Sequence, residues 1–184
     1  PVLNFAFMGN PGTGKTTVAR EFGVMLHELG LRANNKFVET TGSKLLEMDP
    51  KDIPDLLDSA MGGVLFIDEA HNLDPAKDAK GKPAVTQILI EAAETKRTEL
   101  TIMIAGYKDE IEKKLYGFDV GLKSRFRDVE LDDFTQPVLQ EIFEKMAADK
   151  HWKLEDNVAL VASRRLARRR GIKGFGNARD VRSL

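Results

Sequence analysis

Apolar residues in this chain follow two periodicities. Continuous runs at residues 2–8, 64–67 and 100–105 have the length and composition of strands buried on both faces. Shorter strands are expected at 36–40 and 128–131. Between them the apolar positions recur at helical spacing. Val18, Phe22, Met25, Leu26 and Leu29 mark a helix over 17–29. Leu56, Leu57 and Met61 mark a second, starting at Pro50 or Ile53 and stopped by Gly62-Gly63. Val85, Ile88, Leu89, Ala92 and Ala93 predict a third over 84–95, and a short helix follows over 108–116. Residues 41–52, 74–83 and 117–126 read as loop or turn. Strand and helix alternate throughout, which predicts an α/β fold with a parallel five-stranded sheet, right-handed crossovers and helices on both faces. In such a sheet a ligand sits at the carboxyl ends of the strands.

From Phe134 the pattern is helical only. Val138, Ile142, Phe143 and Met146 mark one helix, Val158, Leu160, Val161 and Leu166 a second, and Ala178 opens a third that the chain end interrupts. The expected organisation is an α/β core over 1–133 and a small helical lid over 134–184, read as a domain cut from something longer. Charge divides the same way. The lid carries 11 Lys and Arg against 6 Asp and Glu, and the remainder 17 against 23, so a basic lid adjoins an acidic core within a chain of net charge −1. The 184 residues contain no cysteine, which excludes a disulfide framework or thiolate metal site and fits a reducing, cytoplasmic setting. No apolar run reaches the length of a membrane span. His27 and His151 lack ligand spacing, and no transition-metal site is expected.

The chemistry begins where the first strand ends. Gly9-Asn10-Pro11-Gly12-Thr13-Gly14-Lys15-Thr16 fits G-x-x-x-x-G-K-[ST] between a strand and a helix, the context the motif requires. Glycines admit left-handed backbone, and successive N–H groups at a helix start form an anion nest. Asn10, Pro11, Gly12, Thr13, Gly14, Lys15, Thr16 and Thr17 are therefore expected around nucleotide phosphates, with Lys15 on the β- and γ-phosphates and Thr16 on Mg²⁺. At the end of the 64–67 run, Asp68 is expected to bind Mg²⁺, mostly through water, and Glu69 to orient or deprotonate an attacking water. Asp68-Glu69-Ala70-His71 also spells the DEAH box of a helicase class, but those helicases need two tandem cores and this chain has room for one. His71 reads as a helix-start residue.

The segments MGGVLFIDEA, IAGYKDE, GLKSRF and FGNARDVR, with the phosphate loop, occur in the order found in AAA+ ATPases. The chain resembles the group containing CbbX and stage V sporulation protein K across nearly its whole length. That resemblance implies ATP and Mg²⁺ as cofactors and a homo-oligomer, a hexameric ring, acting on a protein substrate. It implies Arg125 as an arginine finger reaching the γ-phosphate of the next subunit, assisted by Arg127. Arg179 matches the lid residue that contacts phosphate in cis. Tyr107 stands where the family often has a polar Asn or Thr and is the candidate there. Relatives that thread polypeptides carry an aromatic in the loop after the second strand. Here Leu45, Leu46 and Met48 stand in that region without one, and core packing is the favoured reading.

Two other readings remain open: a slowly hydrolysing assembly module, motivated by the missing aromatic, and a DNA-remodelling ATPase, motivated by the five arginines within Arg164-Arg165-Leu166-Ala167-Arg168-Arg169-Arg170. A solvated helix end complementing the dipole is the default for that run. Trp152 is expected to anchor packing in the lid.

Overall fold

A computed structural model describes residues 3–73, 85–117 and 120–184. Two compact units emerge, one built from Pro1–Met8 with Lys15–Glu130 and one from Gly9–Gly14 with Leu131–Leu184. The expected loop at 74–83 and the start of the first apolar run lie outside the described residues.

In the first unit, β1 (Phe5–Met8), α1 (Lys15–Glu28), β2 (Phe37–Thr41), α2 (Gly42–Glu47), α3 (Ile53–Ser59), β3 (Val64–Asp68), α4 (Val85–Thr95), β4 (Thr101–Gly106), α5 (Lys108–Glu110), α6 (Val120–Arg125) and β5 (Arg127–Glu130) follow in chain order. The sheet runs β2-β3-β4-β1-β5 and every pairing is parallel. Successive strand residues serve opposite faces. Ala6, Met8, Leu65, Ile67, Ile102 and Ile104 share one core with Leu45, Ile53, Leu57, Leu89 and Phe126. On the other face Phe22 of α1 meets Phe5 and Phe7 edge-on, and Phe37 stacks on Phe66. Both faces are thus covered, which is why these strands read as unbroken apolar runs.

Several local expectations are corrected. Residues 42–47 are helical: the Thr41 hydroxyl caps α2 by accepting from the Lys44 amide at 3.3 Å, and Leu45 is fully buried. Leu46 and Met48 pack against the same core. One short turn of helix offers too few residues for a period to be read. The glycine-containing stretch before Arg125 is also helical, as α6. Met25 and Leu29 are exposed; α1 faces the sheet through Ala19, Gly23 and Leu26, small residues that allow close approach.

The second unit contains α7 (Gln136–Asp149), α8 (Val158–Ala167) and α9 (Ala178–Arg182) around Leu139, Leu166, Phe175 and Val181. Leu166 is buried as its spacing suggests, but Val158 and Val161 are exposed and Ala159 and Ser163 are buried beside it; Ser163 accepts a 2.8 Å bond from Gln136. Trp152 is 57% exposed, with the Lys150 ammonium 4.8 Å from its ring centre, so it does not anchor the core as expected.

A polar hub ties this unit together. The Asp133 carboxylate accepts from Asn177 Nδ2 at 2.7 Å, from the Gly171 amide at 2.8 Å and from Asn10 Nδ2 at 3.0 and 3.1 Å. Asn177 is fully buried at φ 49°, ψ −121°, and its Oδ1 accepts from the Phe134 amide at 2.8 Å. Burial alone would raise the Asp133 pKa. The bonds from Asn177, Gly171 and Asn10, with Arg170 nearby, outweigh it and hold the carboxyl below its ordinary range.

Two predictions concern these amides and the acid they meet. Asn4, 3% exposed, accepts from the Ile102 amide at 2.9 Å and donates to the carbonyls of Ala93 and Arg125. Asn4→Leu leaves the Ile102 donor unpaired and should lower stability by about 2 kcal/mol, read by denaturant unfolding. Asp133→Ala should destabilise by about 2–3 kcal/mol and speed hydrogen exchange at the Gly171 amide. Because the folded pKa is lowered, the Asp133 contribution is complete above the carboxyl's unfolded pKa of about 3.9 and disappears as pH falls through the folded value. Wild type should therefore lose more stability on acidification than the Asp133→Ala variant; equal losses would contradict the assignment.

Candidate functional site

Parallel pairing gathers the strand ends along one edge. Thr41 lies beside Asp68, Ile67 beside Ile104, and Met8 beside both Gly106 and Glu130. Met8 leads into the glycine loop, and Lys15 and Thr16 form the first turn of α1, a 14-residue helix with no acidic residue in that turn. The N–H groups of a helix start and its positive dipole end favour an anion.

Gly12 and Gly14 have φ of 69° and 87°, where a side chain would be strained. A Cβ at Gly14 would meet nothing within 4 Å, while one at Gly12 would clash with the Gly176 carbonyl at 2.0 Å. Around Gly14 the loop therefore offers open space beside bare backbone, as a phosphate requires. Other loop side chains are occupied with structure. Thr13 is buried and its hydroxyl donates to the Asn10 carbonyl at 2.9 Å. Beyond its bonds to Asp133, Asn10 donates to the Ile172 carbonyl at 3.1 Å and accepts from the Gly174 amide at 3.0 Å. The Pro11 carbonyl accepts from Asn177, and Thr17 is exposed. What the loop can offer phosphate is backbone N–H groups and Lys15 more than these side chains.

Asp68 closes β3, and its Oδ1 accepts from the Glu69 amide at 2.8 Å. Glu69 itself is left-handed at φ 48°, ψ 38°, a conformation costing a non-glycine residue about 1 kcal/mol or more. It is exposed, with Asn72 Nδ2 3.4 Å from its Oε2. Among the described residues, Asp68 Oδ2 and the Thr16 hydroxyl have no side-chain hydrogen bond. Two uncommitted hard oxygen donors suit Mg²⁺, which takes few protein ligands and keeps water.

His71 lies in a 3-10 turn, Ala70–Asn72, and not at the start of an α-helix. Its ring meets Tyr107 edge-on at 5.3 Å. Its Nδ1 is buried without a hydrogen-bond partner among the described residues and lies 2.9 Å from where a Cβ on Gly106 would stand. Burial lowers its pKa; Glu110, Glu69 and Asp68 oppose that and Lys114 adds to it. A neutral imidazole therefore packs on Tyr107, the sensor candidate, at the carboxyl end of β4.

Arg125 belongs to the other edge. It ends α6, two residues before Arg127 pairs with Phe5 at the start of β1. Its Nη1 donates to the Gly121 carbonyl at 2.8 Å and its Nε lies 3.3 Å from Glu94 Oε2. Arg127 is exposed. In the second unit, Arg179 is exposed in α9, and among the described residues its guanidinium has no partner. Its amide lies 2.9 Å from where a Cβ on Gly12 would stand, and the Ala178 amide donates to the Gly12 carbonyl at 3.3 Å. In the basic run, Arg169 pairs with Asp180 at 2.9 Å, with Phe175 under its guanidinium. Sequence reasoning did not single out Asp133, Asn177 or Glu94. A lone acid or amide has no spacing to betray it, although Asn177 falls inside the recognised FGNARDVR segment.

Comparisons with known proteins agree with this fold. Residues 5–126 match the model of the ATPase family associated with various cellular activities (AAA), and residues 135–184 match the AAA lid domain. The whole chain aligns with Protein CfxQ of Xanthobacter flavus at 36% identity and with Protein CbbX of Cereibacter sphaeroides at 35%, covering 59% and 61% of those proteins. It aligns at 33% with a chloroplastic ribulose bisphosphate carboxylase/oxygenase activase of Cyanidioschyzon merolae, covering 62%. The chain thus spans about three-fifths of the length of the curated relatives it matches. With a glycine loop opening α1, an acidic pair closing β3, the 2-3-4-1-5 parallel sheet and matches to both core and lid, the chain belongs to the AAA family of ATPases and is CbbX-like within it.

Proposed function

We propose that this chain hydrolyses ATP with Mg²⁺ at the interfaces of a homo-oligomeric ring, a hexamer, and uses the cycle to remodel a protein partner. The observation that carries this reading is the separation of Arg125 from its own phosphate-binding elements. Arg125 precedes the strand residue paired with Phe5, whereas Lys15 follows the loop that leaves Met8. Phe5 to Met8 alone spans about 10 Å at roughly 3.3 Å per residue. An arginine at the amino edge of the sheet is poorly placed for its own nucleotide and free to meet a neighbour's.

The roles follow from the donors. Backbone N–H groups from Asn10 to Thr17 and the Lys15 ammonium bind and orient the phosphates. Thr16 and Asp68 hold Mg²⁺, which would neutralise charge on the β- and γ-phosphates. Glu69 orients or deprotonates the attacking water. Arg125 of the adjoining subunit stabilises charge on the transferred phosphoryl group with a planar fork of donors. Tyr107 is the candidate sensor of nucleotide state and Arg179 the lid contact to phosphate. We take the core as 1–133 and the lid as 134–184; the two family matches, ending at 126 and starting at 135, support a boundary near there. Leu45, buried in α2 where threading relatives carry an aromatic loop, favours remodelling without an aromatic pore grip.

The reading is tested by ATP turnover per subunit against protein concentration with Mg²⁺ saturating. Turnover should climb with concentration. Glu69→Gln should still bind ATP but turn over about 10²-fold more slowly. Arg125→Ala should lower turnover by about 10³-fold, and its subunits should poison wild-type ones on mixing. Turnover that stays flat with concentration and is indifferent to Arg125 would overturn trans completion. ATP binding without turnover under all these conditions would favour the assembly-module reading.

A further inference from the structure

The Arg125 guanidinium has five N–H donors, and its environment in cis uses them sparingly. Nη1 makes one well-formed bond to the Gly121 carbonyl at 2.8 Å. Nε is buried and 3.3 Å from Glu94 Oε2, yet it makes no aligned hydrogen bond. This is a charge contact, not a bidentate clamp. The two side chains are 30% and 49% exposed, the regime in which an ion pair is weak and easily exchanged.

The other Glu94 oxygen, Oε1, lies 3.2 Å from Arg97 Nη1, one helical turn away in sequence. If Arg125 leaves, Glu94 keeps a cationic neighbour and no carboxylate is stranded. The main chain beneath the pair has its own tether. Asn4, buried at the start of β1, donates to the carbonyls of both Ala93 and Arg125. Release of the Arg125 guanidinium from Glu94 therefore leaves these main-chain bonds unbroken.

We propose that Glu94 is a resting partner for Arg125: it holds the finger in cis in a free subunit and yields it to the phosphate of the nucleotide bound by an adjoining subunit. Glu94 thereby competes with inter-subunit engagement and sets the protein concentration at which the ring becomes active. The proposal rests on the trans role given to Arg125 above. It makes Glu94 a positioning residue that regulates assembly, acting through Arg125 and touching no substrate.

The test is the concentration giving half-maximal ATP turnover, measured for wild type, Glu94→Gln and Arg97→Gln. Removing the Glu94 charge should lower that concentration about threefold, the shift expected for loss of a weak surface pair, with plateau turnover at or above wild type. Arg97→Gln leaves Glu94 to Arg125 alone and should raise the concentration or leave it unchanged. In an Arg125→Ala background, assembly followed by light scattering at saturating ATP should not respond to Glu94→Gln, a coupling that a purely structural role for Glu94 would not produce. Lower plateau turnover in Glu94→Gln with an unchanged midpoint would mean that Glu94 supports the engaged finger, and would overturn the proposal. So would no change in either quantity. If Arg125→Ala subunits do not poison wild type, the trans reading fails instead, whatever Glu94 does.

Discussion

Parallel strand pairing is the constraint on which the core depends. Because β2, β3, β4, β1 and β5 all run one way, their carboxyl ends share an edge and their amino ends share the opposite one. The first edge receives Lys15, Thr16, Asp68 and the Tyr107–His71 ring pair. The second receives Asn4, Arg125 and Glu94. Such a sheet needs both faces covered, and the crossover helices that cover it also deliver the chain from one edge to the other. One physical requirement thus separates the glycine-loop and acidic residues at one edge from Arg125 and Glu94 at the other.

The amino edge is organised by polar groups buried among apolar ones. Arg32 is 4% exposed and lacks a carboxylate partner among the described residues. Its guanidinium instead donates to Thr101 Oγ1 at 2.8 Å and to the carbonyls of Leu31, Leu100, Arg97 and Thr98. Burial lowers its pKa, but arginine starts so high that the charge persists. This cation satisfies carbonyls in the turn between α4 and β4, as Asn4 satisfies Ile102 and two carbonyls beside it. Asn4 thus ties the main chain at Ala93 and Arg125, beside the Arg125–Glu94 contact, to the start of β1.

What could be read from the sequence and what could not differ in physical kind. The central strands were legible because full burial leaves unbroken apolar runs, and the phosphate loop because glycine and lysine at fixed spacing have few other uses. The α2 helix was not, since six residues starting with a glycine carry no period and depend on the Thr41 cap and on Leu45 entering the core. The inward face of α8 was misread because Ala159 and Ser163 fill it while Val158 and Val161 face water; close helix packing selected small residues over large apolar ones. Trp152 was assigned to the interior by its chemistry alone, yet an indole under a lysine ammonium is tolerated at the surface. Asp133 and Asn177 were out of reach because their importance comes from long-range bonds that only the folded chain creates.

Those long-range bonds bear on how the second unit would respond to a ligand. Asn10 is bound to Asp133, Ile172 and Gly174, while the Gly12 carbonyl receives the Ala178 amide. Asn177, held left-handed and fully buried, joins Asp133 to the Pro11 carbonyl immediately before α9. The loop residues and the start of the helix bearing Arg179 therefore form one hydrogen-bonded body. A left-handed asparagine is costly in backbone terms, and the four bonds of its amide make that conformation the stable one here. Within this unit a change in loop conformation cannot be absorbed locally without breaking charge-assisted bonds to Asp133. The same bonds join the loop to the residues that open α9, the helix that carries Arg179.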